Sequence, residues 1–138
     1  MTRRTQAGQL SGLILLAVAL IAALAGAFIV DSSHLHAVRK ELQRATDAAA
    51  LAGAIDLYRA PDDVERHALQ TAAENKADGK PVSDESPGMD VNINVTPPGE
   101  SEPGRVEVTA QATVSHSLMH ILGRSYDTVT ARSVAGSA

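Results

Sequence analysis

The sequence predicts an α+β protein: a long N-terminal helix, a second short helix and a small antiparallel β-sheet of about three strands. Three observations carry this. Residues 9–30 contain no Asp, Glu, Lys, Arg or His, and they run into a pattern of helical period with no proline before Pro61. A short amphipathic stretch follows Pro61, and from Val91 onward a period of two replaces the helical one.

The first element is an apolar span. Leu, Ile, Val, Ala and Phe dominate residues 9–30, and roughly twenty such residues suffice to cross a hydrocarbon core about 30 Å thick. A secretion signal is the rival, because Arg3 and Arg4 form a basic start and the "AGA" of residues 25–27 suits a signal peptidase. The run exceeds the roughly 7 to 15 apolar residues of an ordinary signal and continues into helical sequence without a loop. Residues 1–30 are therefore expected to be an uncleaved signal anchor, with 31–138 as the extracytoplasmic domain. Basic residues do not fix the orientation, since Arg39, Lys40 and Arg44 beyond the span balance Arg3 and Arg4 before it. The short basic tail favours the N-terminus inside and the bulk of the chain outside.

Residues 31–60 read as a stalk helix. Leu35, Val38, Leu42, Ala45, Ala49 and Ala52 recur at spacings of three and four, with Arg39, Lys40, Glu41, Gln43 and Arg44 largely opposite. A second stripe, Ala48, Leu51, Ile55 and Tyr58, makes the helix apolar over more than one face past residue 45. Asp31, Ser32 and Ser33 mark either a new N-cap or the membrane exit. Pro61 ends the helix near Arg59 and Ala60, because the residue before a proline avoids the helical region.

A second helix is expected over 61–79, started by a capping box of Asp62 and Glu65 and stopped by Gly79 and Pro81. "ADGKPVSDESPG" then reads as a loop. Val91, Ile93 and Val95 alternate with polar residues, as do Val106, Val108, Ala110, Ala112 and Val114, which gives a hairpin with one buried face. "SLMHILG" offers a short helix capped by Ser117 and closed by Gly123, and "DTVTARSVA" returns to strand, so the sheet region covers 89–136.

Composition narrows the function. With a net charge of −4, one Phe, two Tyr and no Trp, the chain lacks the basic stripe and stacking platforms of a nucleic-acid binder. No cysteine is present to form a disulfide framework. His116 and His120 are four apart, as zinc ligands on a helix are, and His34 and His36 form a second pair. Neither pair has the acidic base of a zinc hydrolase motif beside it. No phosphate loop, nucleophile elbow or paired carboxylates appear, so no catalytic residue, cofactor or metal is expected.

Gly8, Gln9, the uncharged span, Asp31, Leu35, Arg39, Leu42, Gln43 and then "ATDAAALAGA" at residues 45–54 stand in an order that resembles the N-terminal segment of TadE/TadG-like proteins of the tight adherence (Flp) pilus assembly system. The tail "ATVSHSLMHILGRSYDTVTARSVA" is similar to the strand, short helix and Thr-rich final strand of longer members. The resemblance implies a structural or assembly component of a bacterial pilus system that serves adhesion, pilin-like in outline. It places the chain as a single-pass protein of the inner membrane, in or at the base of a pilus, with the membrane, other pilus subunits and self-association as its contacts. Processed pilins of this system carry Glu five residues beyond a glycine. Here those positions are Leu13 and Ala17, and no Glu occurs before Glu41, so the chain is closer to the TadG-like type.

The candidate assembly residues are Leu42, Ala45, Ala48, Ala49, Leu51, Ala52 and Ile55, with Asp31 as the acid at the end of the span. Small side chains let another backbone come close, and that backbone is either the chain's own sheet or a neighbour's helix. On the second reading, Ala49→Leu or Ala52→Leu is expected to disrupt assembly and spare the soluble fold. Asp47 is expected to face solvent or to pair with Arg44 or Lys40. The alternative function is a cleaved, exported small binding domain of the cell envelope.

Overall fold

The computed structural model describes residues 3–136, with side chains from Gly8 onward; the basic pair Arg3 and Arg4 falls outside the described side chains. The first helix, α1, runs Arg3–Asp56. The chain divides into two compact units, one of residues up to Ser33 with His116–Ser125, the other of His34–Ser115 with the C-terminal strand.

In the larger unit, β3 (Met89–Thr96), β4 (Arg105–Ser115) and β5 (Tyr126–Gly136) form an antiparallel sheet in that order. The register pairs Val91 with Ala110 and Ile93 with Val108, then Ala110 with Ala131 and Ala112 with Val129. Because strand side chains alternate, Val106, Val108, Ala110, Ala112 and Val114 all enter one core, joined by Val129, Ala131 and the neighbouring Met89 and Val91. Onto that face lies the part of α1 from His34 to Asp56, with Val38, Leu42, Ala45, Ala49, Ala50 and Ala54 buried in the same cluster. The expected stalk is thus the core helix of the domain.

Small residues set the distance at which these layers meet. A Cβ on Gly53 would lie 3.0 Å from a Val106 methyl and 3.4 Å from the Ala68 Cβ, so α1 approaches both the sheet and the second helix closely at this point.

The second helix differs from the sequence expectation at both ends. Pro61–Asp63 form a 3₁₀ turn, and α2 occupies Val64–Glu74 with Val64, Ala68 and Ala72 buried. Asp63, not Asp62, stands at the N-cap position and makes no side-chain cap bond; its carboxylate accepts from Arg66 instead, 2.9 Å away. The helix stops five residues before 79, where Lys76–Ala77 (β1) pairs with Lys80–Pro81 (β2) as a miniature hairpin. Asp78 and Gly79 turn it with φ of 53° and 73°, the left-handed pair that an Asp-Gly turn supplies. Asp78 ties the hairpin to α1, its N–H donating to Glu41 Oε2 at 3.0 Å and its carboxylate lying 3.1 Å from His34 Nε2.

In the smaller unit the side chains of the apolar span stand almost bare: Leu13, Ile14, Leu15 and Leu16 are each more than 60% exposed. Among the described residues, α1 is the helix long and apolar enough to cross a membrane. Its partner segment, His116–Ser125, contains a 3₁₀ turn at Met119–Leu122 that ends in Gly123 with φ 82°.

Candidate assembly surfaces on the long helix

From residue 42 onward α1 carries apolar side chains on two faces, and they have different fates. Leu42, Ala45 and Ala49 are fully buried in the domain's own core. Ala48 and Ala52 are half-buried. Leu51 and Ile55 are 60% and 55% exposed, and Tyr58, just past the helix end, is 57% exposed. Leu51, Ile55 and Tyr58 follow one another at spacings of four and three, so they form a row on one side of the chain. Burial of Ala49 speaks against the expectation that Ala49→Leu would spare the soluble fold, because its Cβ faces the domain's own interior. Of the two alanines named, only Ala52 retains a free edge.

A polar seam pins the helix to β5. Gln43 Nε2 donates to Ser133 Oγ at 2.9 Å, to the Arg132 carbonyl at 3.3 Å and to Asp47 Oδ1 at 2.8 Å. Thr46 Oγ1 lies 2.9 Å from Ser133 Oγ, and its single hydrogen is shared between that oxygen and the Gln43 carbonyl of its own helix, 3.0 Å away. Asp47 also accepts from the Ser133 hydroxyl. Asp47 is exposed, as one of the two expectations had it, and is held by Gln43 and Ser133 rather than by Arg44 or Lys40. Thr46 and Ser133 are buried polar groups, and this mutual pairing removes the cost of leaving them without partners.

Asp31 neither caps α1 nor merely ends the apolar span. It sits inside the helix at 4% exposure, and its carboxylate caps a different element. Oδ1 accepts from the Ser117 N–H at 3.2 Å, while Oδ2 accepts from Leu118 at 3.2 Å and Met119 at 2.7 Å. The Leu118 and Met119 N–H groups are among the donors that a helical first turn leaves over, and Asp31 takes the place of the cap expected from Ser117. The Met119 N–H above all, opposed by burial and helped by Ser117, Leu118 and the nearby His116, holds the Asp31 carboxyl below its ordinary value. His116 Nδ1 lies 3.8 Å from Oδ2. A carboxyl lowered by folding stabilises above its unfolded pKa of about 3.9, and that contribution is lost as pH falls through the folded value. The cap should therefore persist through neutral and mildly acidic pH.

His120 lies in the 3₁₀ turn and His116 just after β4. Among the described residues no three His, Asp or Glu side chains gather as a metal site. His67 instead pairs with Asp56 at the foot of α1.

Residues 8–56 match the family model described as putative Flp pilus-assembly TadE/G-like, so the resemblance read from the residues holds over this segment. The match does not separate a TadE-like from a TadG-like chain. No curated protein matches the chain, and no solved structure does.

Proposed function

We propose that the chain is a membrane-anchored structural component of Flp pilus assembly, held by residues 8–30 and working through protein contacts on α1. One observation carries this reading. The segment that matches the pilus-assembly family coincides with α1 and ends at Asp56, where that helix ends. Along the same helix, the row Leu51, Ile55 and Tyr58 is left uncovered by the chain's own sheet, and Ala48 and Ala52 beside it are small enough for a second helix to approach. Leu42, Ala45 and Ala49 support that surface from inside by fixing α1 to the sheet. The N-terminus faces the cytoplasm and the sheet domain lies outside, on the pattern of a basic tail before an apolar span. The absence of a Glu five residues beyond Gly8 or Gly12 favours the TadG-like type.

The chain has no cysteine, so single cysteines can be placed without background. Leu51→Cys and Ile55→Cys, treated in cells with a short thiol-to-amine cross-linker, should each give an adduct containing a pilus subunit or a second copy of the chain. Arg39→Cys, away from the row, should give none. Adducts absent from the row positions, or equally abundant at all three, would sink the proposal. Mass spectrometry of the native chain tests the anchor separately: residues 8–30 should be retained in the membrane fraction.

A further inference from the structure

We infer that residues 118–122 form a second membrane contact, an interfacial turn seated at the boundary of headgroups and acyl chains beside the outer end of the apolar span. This rests on the reading of residues 8–30 as a membrane span.

The depth follows from the pattern of exposure along α1. Leu20, Ile21, Phe28, Ile29 and Val30 are 55–66% exposed, as expected of a lone helix. Leu24 falls to 39%, Ala27 is half-buried and Asp31 is at 4%. Positions 24, 27 and 31 share one helix face. The segment that clusters with the span is His116–Ser125, and it is bonded to Asp31 at the end of that face. From Leu24 to Asp31 is roughly 10 Å of helix at 1.5 Å per residue. If the apolar residues lie in hydrocarbon, this stretch is its outer edge, and the turn beside it sits at the same level.

The chemistry of the turn suits that level, with His120 the exposed polar side chain among three outward apolar ones. Ile121 is 82% exposed, more than any other large apolar side chain described, with Leu122 at 56% and Leu118 at 39%. Apolar side chains presented outward from a short turn favour the interface, where their apolar area leaves water. Backbone donors are the usual obstacle to submerging a turn, because each unsatisfied group in a dry environment is costly. Asp31 removes it for the leading donors, since the N–H groups of Ser117, Leu118 and Met119 all end on its carboxylate. The same carboxylate fixes the turn to the helix at the residue where the apolar span stops. A single acid thus sets both the conformation of the turn and its depth.

The test places an environment-sensitive nitrobenzoxadiazole label on Ile121→Cys, Leu16→Cys and Ser101→Cys in the full chain, each reconstituted in vesicles of phosphatidylcholine and phosphatidylglycerol. Lipids carrying a nitroxide near the headgroup or near the chain end report depth by quenching. The Ile121 label should emit to the blue of the Ser101 label and be quenched mainly by the shallow nitroxide, while Leu16 is quenched mainly by the deep one and Ser101 by neither. Asp31→Ala should remove most of the quenching at Ile121 and leave that at Leu16 unchanged. If Leu16 itself escapes quenching, the membrane span fails. If Leu16 is quenched and Ile121 is not, the span stands and the interfacial turn is overturned. Blue-shifted emission at Ile121 without lipid quenching would mean that protein, not lipid, covers the turn, and would overturn it equally.

Discussion

The two faces of α1 beyond residue 42 are both apolar and have opposite surroundings. One, built on Leu42, Ala45 and Ala49, is sealed by the chain's own sheet; the other, built on Leu51, Ile55 and Tyr58, meets solvent. The difference lies in what opposes each face. The sheet has one inward row per strand, and Ala110, Ala112 and Ala131 in those rows are small enough to admit a helix carrying alanines. That one sheet covers one face of a helix and no more. A helix apolar on two sides therefore keeps its second side exposed.

The sealed face should answer to substitution most strongly. Leu42→Ala removes the largest of its fully buried side chains and should destabilise the domain by about 2–5 kcal/mol, the usual range for emptying a leucine site that cannot collapse. Ala49→Leu overfills the same layer and should cost about 1–3 kcal/mol. Thermal unfolding of the full chain in detergent checks both, at about 4–8 °C per kcal/mol for a domain near one hundred residues. If Ala49→Leu left the midpoint unchanged while abolishing the cross-links from the exposed row, the alanine would face a partner and the two-face picture would be wrong.

Next in size is the seam where the sealed face meets β5. Ser133→Ala deprives Gln43, Thr46 and Asp47 of a shared partner and should cost about 1 kcal/mol, since buried Thr46 loses its contact across the layers. Adding Thr46→Val should then cost less than it does alone, because replacing both members of a buried polar pair by apolar groups is close to neutral. Chemical denaturation of the four members of this cycle decides it. Strictly additive losses would show that the two hydroxyls stabilise the fold independently.

Much of this was legible in the residues and some was not, for physical reasons. The periods of 3.6 and 2 located α1, α2 and the three long strands, because burial of one face imposes them. Both stripes of α1 were also legible, but not which one the sheet would cover: periodicity reports which side chains avoid water and is silent on what shields them. The stalk expected over 31–60 became a core helix for the same reason. The hairpin at Ala77 and Lys80 has a strong local signal in its Asp78-Gly79 pair, but strands of two residues have no period to read. The role of Asp31 is the least legible. Its partners Ser117, Leu118 and Met119 are 86 to 88 residues away, and a cap supplied across that separation leaves no local trace.

The exposed face gives the smallest effect on folding and the sharpest test of the contrast. Ile55 is 55% exposed, and its side chain lies outside the buried cluster. Ile55→Lys keeps a long side chain on the helix and buries no charge, so stability should change by no more than about 0.5 kcal/mol. Assembly should respond quite differently. A lysine in a face that closes on another helix leaves a charge without water, and breaking such a contact costs far more than the folded monomer would register. Adducts from Leu51→Cys, one turn away, should therefore disappear in the Ile55→Lys background while the unfolding midpoint stays near that of the parent. A fall in the midpoint comparable to that of Ala49→Leu would mean that both faces serve the fold. Unchanged cross-linking with an unchanged midpoint would mean that Ile55 lies outside the contact that Leu51 makes.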